Sequence, residues 1–338
     1  MKALVYVGPK RVEVRDIPEP VLKEGQVKLR IKYCGICGSD IGIFLGTHPR
    51  AKAPLVLGHE FLGEVTQDGK KFKKGDRVVA FPLLSCGQCL PCRTGNSHVC
   101  NTLGLIGIDT DGGICEYVCA DEDILFKVPD SLSDKAAAVI EPLAVIVRAI
   151  HQSGLKALDT AAVIGAGPIG ILTGMFLVQM GASKVFISDV NPRRLEQAKR
   201  LGMIPVNAGT ESLEQVAKDA TGGEGVDVLY ECSGAEIAAL QMTDITRVGG
   251  MICMVSVHKT PHNVNLRDLN FKEQRMIGTR VYTKEEFGQA VKYAADIQDM
   301  LEMLVSHVIP MRDSTKVFDM IADPDSGTIK VLVDCTDL

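Results

Sequence analysis

The sequence has no excess of positive charge. Its 37 Lys and Arg face 42 Asp and Glu, a net charge of −5, with an isoelectric point near 5.9. That leaves no basic field to hold nucleic acid or an anionic membrane. There is also no long hydrophobic run. Ala136–Val147 is shorter than the roughly 20 residues a membrane-spanning helix needs, and Glu141 and Pro142 interrupt it. The amino end, MKALVYVGPK, has no apolar core followed by a small-residue cleavage site. The eleven cysteines are therefore expected as reduced or metal-bound thiols in a cytoplasmic protein, not as a disulfide scaffold. Internal repeats, low-complexity tracts and flexible linkers are also missing. What remains is 338 residues, 46% of them hydrophobic, enough for two domains of ~150 residues and a sizeable core.

The first third has short β-branched runs, Val12–Val14, Val27–Ile31, Phe61–Val65 and Arg77–Phe81, separated by turn signals at Lys23-Glu24-Gly25 and Lys74-Gly75-Asp76. This pattern predicts short strands closing into a barrel or sandwich. From about Thr160, apolar runs (Ala161–Ile164, Lys184–Ser188, Val226–Tyr230, Gly250–Val255) alternate with helix-length amphipathic segments, which predicts a parallel, doubly wound sheet and an α/β class. Amphipathic segments Lys284–Ala294 and Asp313–Ala322 and a β-like run Thr328–Val333 complete the chain.

Gly165-Ala166-Gly167-Pro168-Ile169-Gly170 lies between an apolar strand and the apolar helix Ile171–Met180. In that context Gly165 permits the tight turn, Gly167 admits a pyrophosphate to the backbone, and Gly170 lets helix and strand pack closely. Lys184–Ser188 ends in Asp189, placed to bind adenine-ribose hydroxyls and to favour NAD. Arg193-Arg194 follows it, and arginines at such a strand end can instead hold the 2′-phosphate of NADP, which Asp189 would repel.

Cys86-x-x-Cys89-x-x-Cys92 followed by Cys100 can close a tetrahedron of thiolates around a structural zinc; four free thiols or a redox cluster are the alternatives. A second, dispersed set comprises Cys37, His59-Glu60 and Glu141. A thiolate, an imidazole and a carboxylate suit a catalytic zinc with one open position, although each residue alone also reads as core, turn or helix-end. Cys34, three residues before Cys37, admits a C-x-x-C pair as well.

With Gly35-Ile36-Cys37-Gly38-Ser39-Asp40, Gly58-His59-Glu60, Gly75-Asp76-Arg77-Val78, the four-cysteine lobe, Asp111-Gly112-Gly113 with Glu116-Tyr117, Glu141-Pro142 and the glycine fingerprint in this order, nearly the whole chain resembles the zinc-containing medium-chain alcohol dehydrogenases. It is most similar to their polyol (sorbitol), sugar-acid, butanediol and threonine branch. The resemblance implies a partly closed, β-barrel-like (GroES-like) catalytic domain made of residues 1–142 and 283–338, with a Rossmann domain, 143–282, inserted between and the active site in the cleft. It implies two zinc ions per chain and NAD(H), with Cys37 and His59 as catalytic-zinc ligands and Glu60 as a nearby, sometimes coordinating, carboxylate. Glu141 stands where the polyol branch has a glutamate, Asp40 orients the His59 ring, and Cys34 returns to the core. Val255 joins the fingerprint residues, Asp189 and Arg194 beside the cofactor, and relatives suggest a homodimer or homotetramer.

The reaction so implied is oxidation of a secondary alcohol: zinc acidifies the hydroxyl, Ser39 takes its proton, and hydride passes to nicotinamide. A local turn hydrogen bond is the alternative role for Ser39. Many relatives carry a histidine five residues after the ligand cysteine to pass the proton on, but Gly42 stands here, leaving water or Glu60. His48, in the Thr47-His48-Pro49 turn, reads as a surface-loop residue. Phe44, Arg280 and Tyr282 are the expected substrate-facing residues, with core packing and a surface salt bridge as alternatives for Phe44 and Arg280. The expected substrate is a polyol, sugar or sugar acid, with threonine or a short diol as runner-up. The rival classes are a non-catalytic NAD- and zinc-binding protein and the zinc-free quinone reductases, which lack both ligand sets.

Overall fold

Apolar and polar side chains alternate along QVKLRI, so the strand Gln26–Gly35 buries Val27, Leu29 and Ile31 on one face, and a register shift between Ile31 and Tyr33 brings Cys34 into the same core. In the computed structural model, which describes residues 1–323 and 325–338, this strand is the spine of the first of two compact units, Met1–Ala144 with Tyr282–Leu338. Its sheet runs in the order Leu125–Lys127, Arg77–Ala80, Glu60–Val65, Gln26–Gly35, Lys330–Asp334, Val305–Pro310, and Tyr117–Asp121 also pairs with the spine. Gly35 is in register with Glu60 on one side and with Leu332 on the other, so the carboxyl-terminal strand lies beside the amino-terminal barrel strand. The core beneath is aliphatic, with Leu4, Leu29, Ile31, Leu57, Ile114 and Val333 all buried. The amphipathic segment Asp313–Ala322 is covered by a 3-10 turn, Met311–Lys316, and a short α-helix, Val317–Ala322.

The second unit is Val145–Val281. Its sheet is wholly parallel, in the order Ile204–Asn207, Lys184–Asp189, Thr160–Ile164, Val226–Glu231, Thr246–Met254, Arg275–Gly278. Numbered within the unit this is 3-2-1-4-5-6, the doubly wound dinucleotide-binding order, with its switch point between Thr160–Ile164 and Val226–Glu231. Helices Pro168–Gln179, Pro192–Arg200, Leu213–Ala220 and Glu236–Ile245 make the crossovers. Continuous burial of Ala161, Ala162, Val163 and Ile164 is what a strand covered on both faces requires. The apolar run Gly249–Val257 belongs to an interior strand and its exit; Arg275–Gly278 is outermost.

Candidate metal and dinucleotide sites

Glycines position the four-cysteine lobe. Gly87 and Gly95 take positive φ, +73° and +82°, and turn the chain so that Cys86, Cys89, Cys92 and Cys100 face one point. Their sulfurs all lie within 4.8 Å of one another: Cys89 to Cys92 is 3.4 Å, Cys89 to Cys100 is 3.7 Å and Cys86 to Cys92 is 4.0 Å. Zinc–sulfur bonds of about 2.3 Å in a tetrahedron set the sulfurs about 3.8 Å apart, so the cluster fits zinc and leaves no position open. The Cys86 N–H donates to Cys100 Sγ at 3.3 Å. That bond is the main cause holding the Cys100 thiol down to about 6, towards the thiolate a metal needs.

The second site is built on the spine strand and its neighbours. Cys37 precedes the short helix Gly38–Phe44, and its N–H is capped by Asp40 Oδ2 at 2.8 Å. His59 immediately precedes the strand Glu60–Val65 and Glu60 opens it; they are 3% and 2% exposed. One donor atom from each of Cys37, His59 and Glu60 lies within 4.8 Å of the others. Glu141, near the start of the helix Ile140–Ser153, falls outside that group. It is buried, and its Oε1 accepts the Tyr282 hydroxyl.

The electrostatics favour a cation. Among the described residues, the cations that act most strongly on Asp40 and Glu141 are His59 and Lys330, while Cys37, Glu60 and Glu141 in turn act on His59 or Lys330. Burial would lower the His59 pKa, but Cys37, Asp40 and Glu141 outweigh it and leave the imidazole well above its usual range. Burial, with Glu60 adding to it, pushes Glu141 up to about 7. His59 Nδ1 is buried with no hydrogen-bond partner, a cost that a bound metal or ligand can relieve. These groups fit zinc.

Lys330 was not legible in the sequence as a site residue. Its side chain is 3% exposed, and its ammonium pairs with Glu60 Oε2 and donates to Ile36 O at 3.0 Å. Glu60 Oε2 has no hydrogen bond of regular geometry and is held by the ion pair with Lys330. Gly35, between the two strands, makes room: a Cβ there would lie 2.1 Å from Glu60 Oε2 and 3.0 Å from Lys330 Cε. The available signal was one lysine inside the apolar run Ile329–Val333.

Four expectations need correction or sharpening. Tyr282 is fully buried, packed edge-on against Phe81 and tilted against Phe287, with its hydroxyl on Glu141; it orients a carboxylate instead of facing substrate. Phe44 stacks on Phe318 at 4.4 Å and packs against the barrel core. The Asp40–His59 hydrogen bond is not made: Asp40 caps Cys37, while its Oδ1 and His59 Nδ1 are both buried without partners. His48 is half-buried, its Nδ1 accepting from the Ala51 and Arg50 N–H groups at 3.2 and 3.4 Å. Ser39 Oγ is buried and unpartnered, with no local turn bond. Arg280 is exposed.

In the second unit, Gly165 has φ +98°, and Gly170 lies so close to it that a Cβ would meet Gly165 O at 1.7 Å. Gly167, the N-cap of Pro168–Gln179, leaves open space where a Cβ would stand, which a phosphate can occupy at the helix amino end. Ile169 lies in the first turn of that helix. Asp189 accepts from Ala166 N at 2.7 Å and Asn191 N at 2.8 Å, with Arg194 Nη1 3.9 Å away. Val255 is buried, its N–H on Glu231 O at 2.9 Å.

Residues 23–130 match the family model of the alcohol dehydrogenase GroES-like domain, and residues 168–296 that of the zinc-binding dehydrogenase. The chain is 35% identical to a 2-dehydro-3-deoxy-L-galactonate 5-dehydrogenase of Pseudoalteromonas atlantica, over 99% of each. It is also 35% identical to an L-threonine 3-dehydrogenase of Escherichia fergusonii, over 97% of this chain and 98% of the relative. The crystal structure of 2R,3R-butanediol dehydrogenase from Bacillus subtilis superposes with a TM-score of 0.92 at 32% identity, covering 98% of this chain and 99% of that one.

Proposed function

The chain belongs to the zinc-containing medium-chain alcohol dehydrogenase family, and we propose that within it the protein oxidises a secondary alcohol of a polyol, sugar or sugar acid with NAD. The observation that carries this reading is the convergence of Cys37, His59 and Glu60 in a chain that also has the glycine turn and Asp189 of a dinucleotide site.

Bound zinc supplies Lewis acidity towards the alcohol oxygen, and NAD supplies the hydride acceptor. Cys37 and His59 are the groups to hold the metal. Lys330 anchors the Glu60 carboxylate and Tyr282 anchors Glu141, so whichever carboxylate helped to hold the metal would do so with its orientation already fixed. Ser39, its Oγ unsatisfied in the fold, takes the alcohol proton. Beyond it Gly42 adds no titratable group, and water or Glu60 carries the proton onward. Asp189 accepts from the adenine-ribose hydroxyls and would repel a 2′-phosphate, the group that Arg194 beside it would otherwise attract.

The sugar-acid relative supports a polyhydroxy substrate, and the exposed Arg280 offers a fork of donors for hydroxyls or a carboxylate. The threonine and butanediol relatives support the second reading. The outer strand Arg275–Gly278 has no partner on its free edge among the described residues, which supports a homo-oligomer formed by edge pairing. The many unbridged thiols support a reducing compartment, the cytoplasm. A panel of polyols, aldonates, short diols and threonine, assayed by NADH absorbance, tests the proposal. A polyol or sugar acid is expected to show kcat/KM at least about tenfold above threonine and diols. Threonine or a diol leading overturns the substrate class, and no turnover of any secondary alcohol overturns the reading.

A further inference from the structure

The carboxyl ends of Val226–Glu231 and Thr246–Met254 carry a polar cluster that neither metal site uses. Glu231 is fully buried. Its Oε1 accepts from Ser233 N at 2.8 Å, Ser233 Oγ at 2.5 Å and Gly234 N at 2.9 Å. Its Oε2 accepts from Ser256 Oγ and contacts His258 Nε2 at 3.0 Å. The Glu231 backbone carbonyl accepts the Val255 and Ser256 N–H groups at 2.9 and 3.0 Å. One residue therefore ties two strand-exit loops, 233–234 and 255–258, to each other. His258 is held through Nε2, with its ring 5.1 Å from that of His262. The first of these loops abuts the nucleotide turn: a Cβ on Gly165 would lie 3.0 Å from Ser233 Cα, Cβ and N.

The place of the cluster in the sheet gives it a purpose. In a doubly wound sheet the ligand lies across the carboxyl ends of the strands at the switch point, and each half of the sheet takes one mononucleotide. Asp189 ends a strand of the first half. Glu231 and Ser256 stand at the strand ends of the second, the side of the nicotinamide mononucleotide. A carboxylate is well suited to the task because every partner can donate: an amide at this position would turn an NH2 group against donors and leave a buried mismatch.

We propose that Glu231 is a positioning residue for the cofactor, shaping the bed of the nicotinamide half by clamping the Ser233-Gly234 and Ser256–His258 loops together. This rests on the dinucleotide reading given above. Glu231 touches no reacting atom, and its effect passes through the two loops.

The test compares two ligands on the zinc-loaded protein. NADH spans both halves of the bed, whereas adenosine monophosphate occupies only the Asp189 side. Glu231→Gln should weaken NADH binding, followed by fluorescence titration, by roughly ten- to a hundredfold, while adenosine monophosphate affinity, measured by calorimetry, stays within about twofold. Ser256→Ala removes a single donor and should move NADH affinity the same way by a smaller factor; it decides the matter if Glu231→Gln does not fold. Unchanged NADH affinity in the folded variants, or equal loss of both ligands, overturns the proposal. Failure of the wild-type protein to bind NADH at all is a different result, which refutes the dinucleotide reading itself.

Discussion

Replacing Lys330 with methionine removes the ammonium paired with Glu60 while keeping a side chain of similar length. In the native protein the pair is almost dry, its side chains 3% and 2% exposed, and the ammonium has a second partner in Ile36 O. Removing one partner of a buried pair leaves the other charge uncompensated and costs about 3–5 kcal/mol. A divalent cation beside Glu60 would supply part of the missing compensation. Urea unfolding of Lys330→Met, with and without zinc, should therefore show a loss of about 3–5 kcal/mol in chelated protein and a clearly smaller loss in zinc-loaded protein. The slope against urea should be unchanged, since the substitution hardly alters the surface that unfolding exposes. Adding Glu60→Gln should recover much of the loss, as a double-mutant cycle reads it. No destabilisation in either state refutes the pairing, and equal losses with and without zinc refute a metal beside Glu60.

Three other outcomes are open to measurement. Cys92→Ser should lower metal content by one zinc per chain and lower the melting temperature; unchanged values for both would contradict a structural zinc at the four cysteines. Asp189→Ala should reduce the preference for NAD over NADP by about tenfold, the worth of a hydrogen bond to a charged group, and a wild-type enzyme faster with NADP would show that Asp189 does not set the preference. Burial works to raise the Asp227 pKa, but bonds from Thr160 N and Oγ1 and Arg247 Nε hold the carboxyl below its ordinary value. A depressed folded value gives stability that is present above the unfolded value of about 3.9 and is lost as pH falls through the folded one. Asp227→Asn should therefore be less stable than wild type at neutral pH and lose less on acidification below about pH 4; parallel acid profiles would exclude this role.

Features set by near neighbours in the chain could be read from sequence. The glycine fingerprint needs only a strand, a turn and a helix start, and the four cysteines lie on one short loop, so spacing alone described both. Short β-branched runs between turn signals likewise marked the barrel strands, and apolar runs spaced by helix-length amphipathic segments marked the parallel sheet. Readings that depend on distant chain segments were beyond reach. Lys330 joins Glu60 only because the last strand adds to Gln26–Gly35, and nothing near either residue encodes that pairing. Tyr282 was misread because an aromatic with a hydroxyl serves equally to face a ligand or to fill a core and hold a carboxylate; Phe81 and Phe287 decide for the core. Glu231 follows the apolar run Val226–Tyr230 with no motif around it to mark a role, and its donors come from two loops.

The most direct measurement of the central claim is single-turnover hydride transfer by His59→Ala beside its affinity for NADH. Loss of turnover with the best secondary alcohol, at unchanged NADH affinity, is the expected result, because the imidazole belongs to the metal site and not to the dinucleotide bed. A variant that binds NADH and still transfers hydride at the wild-type rate would contradict catalysis at the Cys37, His59 and Glu60 centre.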